Sequence, residues 1–340
     1  MIPRIRGSRS AFTLIELLIV IAVIGLMSSA ILFAMYGLLD EAKADRTRGQ
    51  IARLDGLITD RWEAYRVRTV PVALPTNANP NAAATTRLLA IRDLMRMEMP
   101  DRITDISDPP VVLYTDSNGR PVRLPIPALL RGYRRRCFAI LGPGAGGQPD
   151  YSKWSRSHEG AECLYLILTS MNEEGSNAAL DFFGPTEIDD TDGDGMPEVL
   201  DAWRVPIQFL RWAPGFLSDR QTRDATIDPD PFDPMKVDPR WNDNTAPNIS
   251  LPNGNEPFLL FPLIFSAGPD NKFDINTEGA TTPAMSGVFH YAGTTPILID
   301  PYWIGDPAAP SPQIGQLGDA NGDGVLSYSD NIHNHLLQVK

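Results

Sequence analysis

The sequence predicts an α+β fold, and three observations carry that expectation. An uncharged run of 23 residues, Leu17 to Leu39, passes directly into an amphipathic helical pattern. Short apolar runs bounded by turn residues recur further along the chain. Between them lie loops dense in aspartate and glycine. One long helix, apolar all round in its first half and striped in its second, beside a small antiparallel sheet with acidic loops, satisfies all three.

The first half of that helix sets the compartment. At about 1.5 Å rise per residue the run is long enough to cross a hydrocarbon core of roughly 30 Å. It follows a basic leader, MIPRIRGSRS, and has one acid at its edge, Glu16. A carboxylate in lipid costs on the order of 2.5–3.5 kcal/mol on insertion scales, so it needs a partner. A free α-amino group made by cleavage before Phe12 would supply one. Three readings compete. A secretory signal peptide cut after Ser28-Ser29-Ala30 would be interrupted by Glu16, and the apolar run continues past the site. A plain single-pass anchor gives Glu16 no role. The third reading rests on Phe12-Thr13-Leu14-Ile15-Glu16-Leu17-Leu18, which closely resembles the N-terminus of type IV pilins and type II secretion pseudopilins.

The resemblance implies a pilin-like fold and a prepilin peptidase that cuts Ala11–Phe12 on the cytoplasmic side and methylates the new amine. It further implies homologous pilin or pseudopilin subunits as partners, with Glu16 paired to a neighbour's N-terminal amine during assembly. The family usually has glycine before the cut, whereas Ala11 stands here and the leader's one glycine is Gly7. The leader arginines Arg4, Arg6 and Arg9 place the N-terminus in the cytoplasm by the positive-inside rule. A single pass through the cytoplasmic (inner) membrane then leaves a periplasmic, extracytoplasmic globular part. The formal charge of −12 becomes −15 once the three leader arginines are removed, which argues against nucleic acid as a partner. The expected divisions are a leader over 1–11, a membrane-spanning and filament-core helix over 12–39, its amphipathic continuation over 40–69, and a globular domain over 70–340.

In the continuation, Ile51, Leu54, Ile58, Trp62 and Tyr65 form one stripe at helical spacing, and Pro71 places the helix end near Thr69. Residues 70–86 read as a loop, Arg87–Met99 as a second helix and Glu159–Met171 as a third. Val111–Tyr114, Val205–Arg211, Phe258–Phe265, Gly287–Tyr291 and Ile297–Ile299 read as strands, the first followed by the turn Asp116–Gly119. Arg131–Arg136 (RGYRRR) reads as a solvated or acid-paired basic surface. Gly142–Gly147 lacks the Lys-Ser/Thr of a phosphate loop and reads as a turn. Residues 214–257, rich in Pro, Asp and Asn, read as an irregular surface insertion.

The sharpest local motif runs from Asp190 to Asp201. Asp190, Asp192, Asp194, Glu198 and Asp201 fall at positions 1, 3, 5, 9 and 12, with Gly195 at position 6 and the Met196 carbonyl at 7, which is the spacing of a calcium loop. A second copy, within 319–330, places Asp319, Asn321, Asp323, Val325, Ser327 and Asp330 at the corresponding positions and resembles the calcium loop of dockerin modules. Neither loop has the two long flanking helices of a calcium sensor, so calcium as a structural clamp is expected. Asp201-Ala-Trp203-Arg204-Val-Pro206 resembles the D-x-W-x-x-P segment of the major type II secretion pseudopilin, with Arg204 where that family has glycine. Ser266-Ala-Gly268-Pro-Asp270, followed by Phe273-Asp274, resembles the same family's S-x-G-x-D loop, whose neighbourhood holds calcium. The resemblance makes Asp270 and Asp274 weaker metal candidates.

Cys137 and Cys163 either form a disulfide or remain buried thiols; both readings stand. His333 and His335 read as exposed residues of a tail. No nucleophile elbow, HExxH or dinucleotide fingerprint is present, so no enzyme activity is expected. The sequence reading is a pseudopilin-like structural subunit of a type II secretion system or related type IV filament. Its alternative is a membrane-anchored calcium-dependent surface binding module that uses a pilin-type leader.

Overall fold

The computed structural model describes residues 13–74, 80–173, 179–241, 256–277, 299–302, 305–306, 309–310, 314–318 and 330–336. The chain divides into two units at Asp45/Arg46, and helix α1 (Leu14–Ala64) contributes residues to both.

In the first unit every described residue after Thr13 is helical, and the described large apolar side chains between Leu14 and Leu39 are exposed. Among the described residues this is the one helix long and apolar enough to cross a membrane. Its start is closed reciprocally. The Thr13 N–H and hydroxyl both donate to Glu16 Oε2, at 2.8 and 2.9 Å, while the Glu16 N–H donates to Thr13 Oγ1 at 3.3 Å. This capping box satisfies amides that a helix start otherwise leaves without intrahelical acceptors.

In the second unit the rest of α1 buries the expected stripe. Ile51, Leu54, Ile58, Trp62 and Tyr65 are all at most 2% exposed. The helix stops at Ala64, five residues before the expected Thr69. The next amides reach back only three residues, Tyr65 to Trp62 and Arg66 to Glu63, which tightens and ends the last turn. Glu98 holds that end, accepting from the Tyr65 hydroxyl at 2.8 Å and from Arg68 at 2.7 Å.

Helix α2 (Pro80–Glu98) begins earlier than expected, so residues 80–86 of the presumed loop are helical. Proline suits a first helical position because its missing N–H would have no intrahelical acceptor there. A short α3 (Ile103–Ser107) follows, then the hairpin β1 (Val112–Thr115) and β2 (Pro121–Arg123) around the expected turn. Helix α4 (Ala128–Leu141) contains RGYRRR and was not anticipated. Its buried stripe Leu130, Tyr133, Cys137 and Leu141 has helical spacing, but the basic cluster hides it in the sequence. Arg134 reaches the backbone oxygens of Ile106, Ser107 and Asp108, closing the end of α3. Helix α5 (Glu159–Glu173) is where it was expected, and Cys137 and Cys163 are both buried free thiols.

The strands are short. β3 (Ile188–Asp189) and β4 (Glu198–Val199) form a hairpin. β5 (Gln208–Leu210) pairs antiparallel with β6 (Leu263–Ser266). A second two-residue pair joins β7 (Gly305–Asp306) and β8 (Ala309–Pro310). β9 (Ile332–His333) completes a three-stranded sheet in the order β5-β6-β9. Leu210, Ala213, Phe216, Leu263, Phe265 and Ile275 form a core cluster on this sheet. The expected strands Gly287–Tyr291 and Ile297–Ile299 lie outside the described residues, apart from Ile299.

In the described part of the 214–257 stretch, 214–241 and 256–257, several side chains are buried rather than at the surface. Phe216, Gln221, Phe232, Asp230, Asp238 and Arg240 are all less than 9% exposed. The aspartates are buried because arginines meet them: Arg92 lies 3.0 Å from Asp230 and 2.8 Å from Asp238, and Arg240 pairs with Asp238 and Asp300. A polar composition conceals this core of ion pairs. Arg204, at the family's glycine position, has φ = 68°, a left-handed conformation that costs a side-chain-bearing residue about 1 kcal/mol. Glycine would take that conformation without the cost.

Residues 330–336 close the fold. Asn334 accepts from the Ile264 N–H at 2.9 Å and donates to Pro262 O at 2.9 Å and to Asp55 at 2.7 Å. His335 is 5% exposed rather than a tail residue, with Nδ1 2.8 Å from the Ser218 hydroxyl and its ring edge-on to Phe216. Burial, with the neighbouring His333, lowers its pKa to about 3. Between that value and an unfolded value near 6.5 the unfolded chain binds the extra proton. Stability is thus full above about pH 6.5 and falls with pH toward 3, by at most about 1.4 kcal/mol per pH unit from this group. Urea midpoints measured from pH 7 to 4 should fall less steeply in His335→Asn than in the parent chain; equal slopes would remove His335 as a cause.

Candidate metal centre

The loop from Asp190 to Pro197 joins β3 to β4, so a hairpin rather than a helix pair presents its acids. Gly193 and Gly195 have φ of +82° and +97°, and a Cβ on Gly195 would lie 3.2 Å from Ile140. Only glycine turns there without strain. Asp190 folds the loop on itself, accepting from the N–H groups of Gly193 at 2.8 Å and Gly195 at 2.9 Å. Asp194 accepts from Met196 N–H at 2.7 Å and Ser155 N–H at 2.6 Å, while Met196 is itself buried. Glu198 accepts from the Thr191 N–H at 3.0 Å and hydroxyl at 3.1 Å.

Two groups of carboxylates result. Oxygens of Asp190, Asp192 and Asp194 lie within 4.8 Å of one another, as do those of Glu162, Asp192 and Glu198. Either group could hold a metal ion. Asp192 belongs to both. Asp201, placed twelfth by the spacing, joins neither. Its carboxylate accepts from Trp203 N–H at 2.8 Å, Val205 N–H at 2.9 Å and the Ser266 hydroxyl at 2.6 Å. That last bond ties the D-x-W segment to the S-x-G-x-D loop, so the two stretches of family resemblance meet in space.

Glu162, in the first turn of α5, is the residue that sequence reasoning missed. Helix α5 approaches closely because Gly160 has no side chain: a Cβ there would lie 2.7 Å from Phe209 O. Glu162 is fully buried, and Trp154 Nε1 donates to its Oε2. Burial pushes its pKa up to about 10, with Asp194, Asp192 and Glu198 adding to the rise. Burial likewise raises Glu198 to about 7, against the Thr191 hydrogen bonds. His158 faces Asp192 and Asp194, yet burial dominates and lowers its pKa. A charged residue inside an otherwise apolar helical stripe was the available signal for Glu162, but its distance in sequence from the loop gave it no partner.

At the second predicted loop only Asp330 is described; Asp319, Asn321, Asp323, Val325 and Ser327 lie outside the described residues. Asp330 sits against the S-x-G-x-D loop, where a Cβ on Gly268 would collide with its backbone oxygen. Burial raises the Asp330 pKa, and the charges of Asp270 and Asp274 raise it further. The two weaker candidates thus lie near enough to the last residue of the second loop for their charges to act on it. Asp270 also accepts from Lys272 N–H at 2.9 Å, and Asp274 is buried at φ = 43°.

At the other end, Ala11 and Phe12 lie outside the described residues, and Glu16 is held by Thr13. No curated protein and no solved structure matches the chain. Residues 6–32 match the family model of the prokaryotic N-terminal methylation motif, and this stretch is a prepilin-type N-terminal segment.

Proposed function

We propose that the chain is a type IV pilin-like subunit, and within that class a pseudopilin-like structural component of a type II secretion system or related filament. The observation that carries the reading is the methylation motif over residues 6–32, with Glu16 inside it at the edge of an exposed apolar helix. Prepilin peptidase would cut before Phe12 and methylate it. Residues 12–39 would reside in the cytoplasmic membrane and then in the filament core, residues 40–69 would continue the helix, and residues 70–340 would form the extracytoplasmic domain. Glu16 would pair with the amine of a neighbouring subunit, because opposite charges attract strongly where water is excluded. Calcium would clamp the loop of Asp190, Asp192, Asp194 and Glu198, offsetting their mutual repulsion.

The Thr13–Glu16 capping box favours a second reading. A carboxylate already bonded within its own chain is tolerable in a lone anchor, as a membrane-held calcium-dependent binding module requires. Mass spectrometry of the chain from its native membrane separates these readings in combination with Glu16→Ala. The filament reading expects a methylated N-terminus at Phe12, and a variant that is still processed but missing from sheared filaments. Filament incorporation unchanged by Glu16→Ala would rule out pairing at this residue. A chain that starts at Met1 would leave a plain anchor.

A further inference from the structure

We infer that Glu162, Asp192 and Glu198 together hold one hard divalent cation of calcium's size, which fastens helix α5 to the β3–β4 loop. The inference rests on the calcium reading of that loop and alters its ligand set, since Asp201 is engaged elsewhere. One oxygen from each of the three carboxylates lies within 4.8 Å of the others. Calcium–oxygen bonds are about 2.3–2.6 Å, so oxygens on opposite sides of one ion are about 5 Å apart. Three oxygens within that span belong on a single coordination shell.

The independent sign is Glu162 itself. Trp154 occupies one of its oxygens, while Oε1 is buried and has no hydrogen-bond partner among the described residues. A buried acceptor left without a donor costs about 1–3 kcal/mol, more when charged. A cation removes that cost and the repulsion of the neighbouring acids together. Glu162 and Glu198 are fully buried and Asp192 is exposed, so the site has a closed wall and an open side through which an ion enters. The donors are all carboxylate oxygens, which suits calcium or magnesium and not the thiolate- and imidazole-seeking metals. The position that the spacing assigned to Asp201 is thus taken by a residue from an earlier helix.

Trp154 supplies the readout, because an ion on Glu162 lies beside an indole. Terbium(III), a luminescent stand-in for calcium, should be sensitised by tryptophan excitation in the full chain held in detergent, and calcium should reverse the signal. Glu162→Gln should weaken calcium competition by about tenfold or more. Trp154→Phe should remove most of the emission; emission that survives it would place the ion elsewhere and overturn the inference. Calcium affinity unchanged in Glu162→Gln but lost in Asp190→Asn would also overturn it, leaving the loop reading intact. No calcium binding by the parent chain would end both. Should Glu162→Gln fail to fold, the exposed Asp192→Asn keeps the question open to test, and unchanged affinity there is equally decisive against the site.

Discussion

Arg211→Met is expected to lower the stability of the folded domain by about 3–5 kcal/mol. The guanidinium is 2% exposed and lies 2.7 Å from both Met99 O and Asp105, with Asp101 at 3.4 Å. Burial alone would raise both acids. Arg102 and Arg211 override it at Asp101 and hold that pKa low, whereas Asp105 stays raised. Methionine fills much of the space but leaves two buried carboxylates facing each other with Arg102 as their main counter-charge. The loss is the cost of that uncompensated charge rather than the net worth of the ion pair. Adding Asp105→Asn to Arg211→Met should therefore recover part of it. Urea midpoints for the three chains decide the matter: a single variant as stable as the parent, or no recovery in the double, would refute the account.

Trp62→Ala is expected to cost a similar amount, about 3–5 kcal/mol, by a different route. Trp62 is 2% exposed, with the rings of Phe232 and Phe261 centred 5.2 and 5.0 Å away. Its indole N–H has no hydrogen-bond partner among the described residues, so packing accounts for its contribution. Trp62→Phe keeps most of the aromatic contact and should cost less than about 1.5 kcal/mol. If thermal unfolding shows equal losses in the two variants, the indole is bonded after all and the packing explanation fails.

Much of this architecture was legible because it rests on periodicity. The α1 stripe from Ile51 to Tyr65, the body of α5 and the turn at Asp116–Gly119 each follow from local spacing. Helix α4 was missed because arginines that serve backbone carbonyls and pack along a helix look like a solvated patch in one dimension. The core role of Asp230, Asp238 and Arg240 was hidden for a related reason. Burial of a charge depends on a partner such as Arg92, which lies 138 residues from Asp230 in the chain. The acidic loop was visible as a motif, while its relation to Glu162 needed the α5–β4 packing. Where Asp201 would point could not be read from spacing either, since Ser266 competes for it.

The bond between Asn334 and Asp55 joins residues 279 apart in sequence. A chain made and delivered N-terminus first commits its apolar helix long before this contact can form. Until residues 330–336 arrive, β6 lacks its outer neighbour and Asp55 lacks Asn334. Contacts of such long range slow folding and leave partly built intermediates exposed. A chain truncated before Asn331 would lack β9, leaving the outer edge of β6 unpaired and Asp55 without Asn334.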